Sequence, residues 1–317
     1  MKKLKLIPEK TDINFIGSRK LAFILSAILL IGSVFLLATK GLNFGIDFKG
    51  GSVIEYKSDK EIDLSAMRKA LTSANLGEVS IQNADGVNSA MIRVGAGHGG
   101  SEERAKIINI VKTIITGNST GTIEFRKADF VGPQVGSELI RDGILSLVFA
   151  LIGILVYIWM RFEWQFGVGA VAALFHDVIL TLGLFSLLDL EFNLTSIAAI
   201  LTIIGYSIND SVVIYDRIRE NLRKFKKKPI TDLLNLSVNE TLSRTVLTAG
   251  TTIAALIALV TLGGSVIYGF SLSVLFGVIV GTYSSVYIAS PILVYMNPRG
   301  NEEPAPLAKK VQKKARA

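Results

Sequence analysis

Six long apolar runs dominate this 317-residue sequence. A helix needs about 20 apolar residues to cross a bilayer core, because in lipid its backbone must satisfy its own hydrogen bonds. Charged residues make up only 19% of the chain, against about 25% in a soluble domain. The sequence therefore predicts a polytopic α-helical membrane protein with six transmembrane helices. The expected spans are 21–39, 143–160, 166–188, 195–215, 246–264 and 270–296.

Lysine and arginine in the short connections predict the orientation of these spans. The head (1–20) carries six of them, the 216–245 connection eight and the tail (297–317) six, whereas the 189–194 turn has none. We therefore expect both termini to be cytoplasmic. The first span follows a lysine-rich head but is longer than a signal-peptide core, so we expect it to be retained.

The segment 40–142, called here the inserted domain, is expected to lie outside the cell. Its 13 basic and 13 acidic residues balance, so the net charge of +8 lies with the cytoplasmic segments, where anionic lipid would attract it. Nucleic-acid binding is not needed to explain that charge. Strand and helix patterns alternate as β-α-β-β-α-β, with Asp63 and Ser101 as helix caps and Asp85-Gly86 as a turn. This order predicts a ferredoxin-like α+β domain between spans 1 and 2.

Metal and nucleotide sites are not expected. The chain has no cysteine and two histidines, too few for a thiolate or three-histidine metal site. Gly95–Gly100 matches G-x-G-x-x-G, but a single βαβ unit lacks the doubly wound sheet that this motif needs. We interpret it as a connector, with His98 solvated, and predict no cofactor.

Asp210 is the most informative residue of the chain. An ionisable side chain at membrane depth costs at least about 2.5 kcal/mol, so it is a functional candidate by default. Thr202, Tyr206 and Asn209 share one helical face of span 4 with Asp210. Burial favours the neutral form of a carboxyl group, so Asp210 can load and unload protons. This polar stripe predicts a proton or ion path.

Span 5 supplies the expected counter-ion. Arg244 and Thr248 share a face at the cytoplasmic start of this span, and Asp210 lies about 8 Å above the same end of span 4. We predict that Arg244 sets the proton affinity of Asp210. The alternative is that Arg244 extends its guanidinium to lipid phosphates.

Two further features lie in spans 3 and 6. His176-Asp177, near the middle of span 3, is either a second proton relay or an internally bonded packing element. Gly277 and Gly281 are spaced as G-x-x-x-G, which indicates close helix packing.

Several motifs, occurring in order, resemble the SecD/SecF family of the resistance–nodulation–division superfamily. The six-span length with one small inserted domain is similar to its SecF branch. The motifs are Gly45-Ile-Asp-Phe-Lys-Gly-Gly51, Val131-Gly-Pro-Gln-Val-Gly136, Phe175-His-Asp-Val178, Gly205-Tyr-Ser-Ile-Asn-Asp210 running to Asp216-Arg-Ile-Arg-Glu-Asn221, Leu242-Ser-Arg-Thr245 and Gly281-Thr-Tyr-Ser284.

The resemblance implies a role in the bacterial inner membrane. It implies a SecD-like partner, the SecYEG channel with its ATPase SecA, and use of the proton-motive force to promote late preprotein export. Asp210, Arg244 and Thr248 match the proton-path residues of the family. In the family, hinges join the inserted domain to the spans on either side of it. Here they correspond to five glycines, whose backbone freedom would allow the domain to rotate. They are Gly45, Gly50, Gly51, Gly132 and Gly136.

Three other functions are compatible with parts of this pattern. A proton-coupled exporter of lipids or small molecules usually needs larger external domains than this one. A non-transporting assembly factor would use the polar stripe for structure alone. An intramembrane aspartyl protease would need Asp177 and Asp210 about 3 Å apart, but their expected depths differ by about 9 Å. We therefore expect a transport component rather than an enzyme.

Overall fold

A computed structural model describes residues 11–74, 76, 79–83, 88–95, 101–119 and 121–299. Within these residues, six helices are long and apolar enough to cross a membrane, as predicted. The elements in chain order are α1 (Arg19–Thr39), β1 (Asn43–Phe44), α2 (Ile46–Lys49), β2 (Gly51–Ser58), α3 (Leu64–Ser73), β3 (Val79–Asn83), β4 (Ser89–Gly95), α4 (Ser101–Asn118), β5 (Ile123–Val131), α5 (Pro133–Arg161), α6 (Trp164–Leu188), β6 (Glu191–Phe192), α7 (Leu194–Lys224), α8 (Ile230–Leu262), α9 (Ser265–Ser284), a π-helical turn (Ser285–Ala289) and α10 (Ser290–Met296).

The inserted domain is a four-stranded antiparallel sheet with two helices. Its strands lie in the order β3-β4-β2-β5, so the first strand of the domain pairs with its third and its fourth. With α3 and α4 as the crossover helices, this is the predicted ferredoxin-like arrangement. The core lies between sheet and helices, around the buried side chains of Ile54, Leu71, Ile92, Val111 and Ile115.

A local sequence signal accounts for the start of α3. The Asp63 carboxylate accepts hydrogen bonds from the backbone amides of Ser65 and Ala66, at 2.9 and 3.0 Å, and so caps α3. The predicted Asp85-Gly86 turn and the connector 96–100, with His98, lie outside the described residues, as do 1–10 and 300–317.

The membrane helices continue beyond their apolar runs. α7 extends from Leu194 to Lys224 and α8 begins at Ile230, so most of the 216–245 connection is helical. Only residues 225–229 turn the chain between the two helices. This α7–α8 hairpin projects past the length that a bilayer core requires.

The last span is interrupted by the π-helical turn Ser285–Ala289. Proline at position 291 cannot donate a backbone hydrogen bond, and its ring clashes with the carbonyl four residues earlier, so it disfavours a regular helix there. The wider turn accommodates this, and the Ser290 hydroxyl donates to the Ser285 carbonyl at 2.8 Å.

Contacts between the connections define two ends of the bundle. One end carries the α7–α8 turn and is called here the basic end. There, Asn239 of α8 bonds the backbone of Ile13, and Arg299 donates to the Phe225 carbonyl. At the opposite end, Lys40 after α1 lies 3.8 Å from Asp189 after α6. The inserted domain joins the bundle at this second end.

Candidate proton-coupling site

Asp210 lies in the middle of α7 with its carboxylate only half paired. The Thr245 hydroxyl of α8 donates to its Oδ1 at 2.6 Å. Its Oδ2 is buried and has no hydrogen-bond partner among the described residues. A buried acceptor without a partner costs about 1–3 kcal/mol, and more when it is charged. Binding a proton or a cation at Oδ2 would remove this cost.

The predicted partners on α8 lie beside this contact. Arg244 and Thr248 are both exposed, and Arg244 forms no ion pair with a described residue. The Thr248 hydroxyl donates to the Arg244 carbonyl at 2.9 Å. Thr245 faces α7 and bonds Asp210, whereas Arg244, the residue before it, is exposed. The counter-ion role of Arg244 stays a prediction.

The polar face predicted for α7 lies at the edge of the bundle. Thr202 and Asn209 are exposed, and Tyr206 is half-buried. On α8, Arg244, Thr248 and Thr251 are exposed too. Together these residues form a polar surface, called here the α7–α8 polar face, on the two helices that supply Asp210 and Thr245.

Asp177 has a different environment, because it is fully buried and fully bonded. Its Oδ2 accepts hydrogen bonds from Ser207 of α7 at 2.5 Å and from Ser284 of α9 at 2.8 Å. His176 Nδ1 lies 3.0 Å from its Oδ1, and the His176 ring stacks on Tyr283. The carboxylate therefore joins three helices, which favours the packing interpretation. A relay role stays a prediction.

The two carboxylates use separate partners. Asp177 is bonded by hydroxyls of α7 and α9, whereas Asp210 is bonded by a hydroxyl of α8. An aspartyl protease dyad requires two carboxylates that share a proton, and Asp177 and Asp210 are not arranged in this way.

Gly277 and Gly281 bring α9 close to α7. A Cβ atom on Gly277 would lie 2.3–2.7 Å from the Ile203 side chain, and one on Gly281 would lie 3.0 Å from the Ser207 Cβ. Larger residues here would push apart the helices that bond Asp177.

The segment after α1, which contains the first predicted hinge, is bound to the start of α7. The Asp47 carboxylate accepts a hydrogen bond from the Leu194 backbone amide at 3.0 Å. β1 pairs in parallel with β6, which immediately precedes α7, and the Gly45 amide donates to the Phe192 carbonyl at 2.9 Å. Arg93 of β4 forms an ion pair with Glu191 of β6. We call this set of contacts the α7 latch.

The hinge glycines differ in their backbone requirements. Gly50 and Gly51 have φ values of 72° and 126°, which other residues rarely adopt. Gly136 is required for space, since its Cβ would lie 3.0 Å from the Phe48 carbonyl oxygen. Gly45 and Gly132 both have φ of −72°, an ordinary value.

Three site residues were not anticipated from the sequence. The polar stripe of α8 runs through Arg244 and Thr248, and Thr245 is offset from it by one residue, so the stripe does not mark it. Ser207 resembles any small residue of a packed membrane helix, and its partner, Asp177, lies on a different helix. Asp47 lies 147 residues from its partner, Leu194, and no local pattern marks such a contact.

Comparison with known families agrees with this architecture. The family described as "Protein export membrane protein SecD/SecF, C-terminal" matches residues 110–299, and the "SecD/SecF GG Motif" matches residues 35–62. The second match contains Asp47 and the glycines that follow it. The first contains Asp177, Asp210 and Arg244.

Full-length relatives and solved structures extend the match. Protein translocase subunit SecF from Rickettsia rickettsii is 50% identical over 301 residues, which cover 95% of this chain and 97% of the relative. The Rickettsia bellii protein of the same name is 50% identical over 290 residues, which cover 92% of this chain and 95% of the relative. The crystal structure of SecDF, a translocon-associated membrane protein from Thermus thermophilus, is 34% identical with a TM-score of 0.82. The alignment covers 92% of this chain and 40% of that longer one. This chain is a multi-pass inner-membrane protein that belongs to the SecD/SecF family of protein-export membrane proteins.

Proposed function

We propose that this chain uses the proton-motive force to promote late preprotein translocation, as a SecF-like subunit of the Sec machinery. The observation that carries this proposal is the Asp210 carboxylate, with one oxygen bonded to Thr245 and the other buried without a partner among the described residues. A group in that state gains from binding a proton and is left with a bare acceptor on losing it. Alternating between these states is what proton coupling requires.

The α7–α8 polar face supports a SecD-like partner. Exposed asparagine and arginine side chains at membrane depth are unfavourable against lipid, and they are stabilised when another protein covers them. In the assembled complex, Arg244 would lie beside the covered Asp210 and act as its counter-ion, with Thr248 on the same face. The SecYEG channel, SecA and the preprotein are further proposed partners, from family membership.

The α7 latch supports coupling between the proton site and the inserted domain. α7 carries Asp210 in its middle and is bonded at its first residue, Leu194, by Asp47 of the GG segment. A shift of α7 on protonation would therefore act on the hinge glycines Gly50 and Gly51. Gly136, packed on α2, would transmit the same movement to α5.

The available energy suits this role. One proton charge crossing 100 mV releases about 2.3 kcal/mol, which changes the ratio of two conformations about fiftyfold. That is enough to bias a domain arrangement at each proton transfer, although not to unfold a preprotein in a single step.

The proposed orientation places both termini in the cytoplasm and the inserted domain outside. The described residues next to the basic head and tail lie at the same end of the bundle as the α7–α8 turn, since Asn239 bonds Ile13 and Arg299 bonds Phe225. The inserted domain lies at the other end, which agrees with the positive-inside rule.

Asp210→Asn tests the proposal. Asparagine keeps the bond to Thr245 but cannot exchange a proton. We therefore expect export of a reporter preprotein to fall to the level seen in cells treated with an uncoupler of the proton gradient. Asp232→Asn is the matched control, because Asp232 is an exposed carboxylate in the first turn of α8, 13 residues before Thr245, and its loss should leave export unchanged. Unchanged export with unchanged sensitivity to an uncoupler in Asp210→Asn would refute proton coupling through this residue.

A further inference from the structure

A charged cleft of about 410 Å³ lies at the basic end of the bundle, where α5 ends beside the last turns of α7. It is separate from the proton site, since its nearest residue on α7 is six positions beyond Asp210. Four of its six lining residues are basic and two are acidic. They are Arg161, Asp216, Arg219, Glu220, Arg223 and Lys224.

Both carboxylates of the cleft are already paired. Asp216 Oδ1 lies 2.8 Å from Arg161 Nη2, and Glu220 Oε2 lies 2.6 Å from Nη1 of Arg217, which does not line the cleft. Arg219, by contrast, donates to the Arg161 carbonyl at 3.1 Å, which fixes its guanidinium at the rim without neutralising it.

Three cations are therefore left in the cleft. Arg219, Arg223 and Lys224 form no ion pair with a carboxylate of the described chain. The Lys224 Nζ lies 5.3 Å from the centroid of the Phe225 ring. Like charges gathered around one concave surface attract an anion, and guanidinium groups match phosphate geometry particularly well.

The depth of the cleft corresponds to the lipid headgroups. A bilayer core of about 30 Å takes up about 20 residues of α7, which places its boundary near residue 214. Asp216 and Arg219 then lie about 3 and 8 Å beyond the core, within the headgroup layer. Trp159 and Trp164, on either side of Arg161, are 75% and 60% exposed, as residues of an interfacial aromatic belt are.

The apolar surface beside the cleft suits acyl chains. α5 exposes Phe149, Ile152, Val156 and Met160 along the helix that leads to Arg161. An acidic peptide would match the cations but would leave this surface uncovered. A phospholipid covers both, with its phosphate in the cleft and its chains along α5.

We propose that this cleft binds the phosphate of an anionic phospholipid such as phosphatidylglycerol. Arg219, Arg223 and Lys224 hold the phosphate, while the Arg161–Asp216 pair joins α5 to α7 and shapes the site. Basic pockets between helices at the cytoplasmic face are suited to anionic headgroups. The inference does not depend on proton coupling, because lipid binding is measured without export.

The test compares two double variants of the full chain, purified in a neutral detergent. Arg223→Gln with Lys224→Gln removes two cleft cations. Lys226→Gln with Lys227→Gln removes the same charge from exposed positions in the next turn, outside the cleft. We expect dioleoylphosphatidylglycerol, but not dioleoylphosphatidylcholine, to be retained in native mass spectra. The cleft variant should bind it about thirtyfold more weakly, at about 1 kcal/mol per cation, and the control within about twofold.

The other arms of the experiment identify competing ligands. If both double variants lose phosphatidylglycerol binding equally, the attraction is due to overall charge and the proposal is overturned. Inorganic phosphate that displaces the lipid at equal concentration would assign the cleft to a soluble phosphate. A polyglutamate peptide that binds with the same variant dependence, when phosphatidylglycerol does not, would assign it to an acidic protein. Equal retention of both lipids by the unaltered chain would overturn the proposal without any variant.

Discussion

The bond between Asp47 and α7 allows the proposed coupling to be tested at one amide. Loss of a capping side chain costs about 0.5–2 kcal/mol, and removal of a negative charge from a helix N-terminus costs about 0.3–1 kcal/mol. We therefore expect Asp47→Ala to weaken the α7 latch by about 1.5 kcal/mol, a factor of about ten. Asp47→Asn keeps an oxygen acceptor and loses only the charge, so its effect should be about twofold.

Hydrogen exchange at the Leu194 amide measures this effect directly, because Asp47 is the acceptor that protects it. We expect exchange to be about ten times faster in Asp47→Ala, with a parallel loss of proton-dependent export. Asp63→Ala is the matched control, since it removes a capping carboxylate from α3 within the inserted domain. It should accelerate exchange at Ser65 and Ala66 only.

Two results would refute the reasoning. If Leu194 exchanges at the same rate in Asp47→Ala, the carboxylate does not hold α7. If Asp63→Ala reduces export as much as Asp47→Ala does, then the inserted domain needs only to be stable, and the α7 latch has no special role.

Three further predictions concern the packing of the chain. Asp177→Asn should lower the stability of the helix bundle by about 2 kcal/mol, seen as a lower melting temperature in detergent, because asparagine has one acceptor oxygen where Asp177 uses two. Gly277→Leu should cost about 1–3 kcal/mol by the same measurement, through overpacking against Ile203. Burial raises the pKa of Tyr56 to about 12, so the inserted domain should lose stability as the pH rises from about 10 to 12. Tyr56→Phe should abolish this part of the pH dependence. Denaturant titrations of both proteins at pH 9 and 12 would measure the difference.

The fold of the inserted domain was predictable because its signals are local. Apolar alternation marked the strands, and Asp63 marked a helix start with a side chain two and three residues from its partners. Element order then left the ferredoxin-like arrangement as the natural choice. The six spans were predictable for a similar reason, since lipid imposes a minimum apolar length on each of them.

The site was predictable only in its charged members. An aspartate in an apolar run stands out because its cost has to be balanced by a function, which identified Asp210 and Asp177. The serines that bond Asp177 carry no such cost, and small residues in membrane helices are common at packed interfaces. The Asp47 contact with Leu194 depends on the tertiary fold, so a segment that the sequence marks as flexible is in fact bonded to α7.

The unbroken length of α7 has a mechanical consequence. Asp210 lies 16 residues, or about 24 Å, from the first residue of the helix. If the helix pivots as a rigid rod near Asp210, a tilt of about 5° moves that first residue by about 2 Å. The 3.0 Å bond from Leu194 to Asp47 would not survive such a displacement. A tilt of α7 that is too small to separate the helices around Asp210 could therefore release the inserted domain at the opposite end of the bundle.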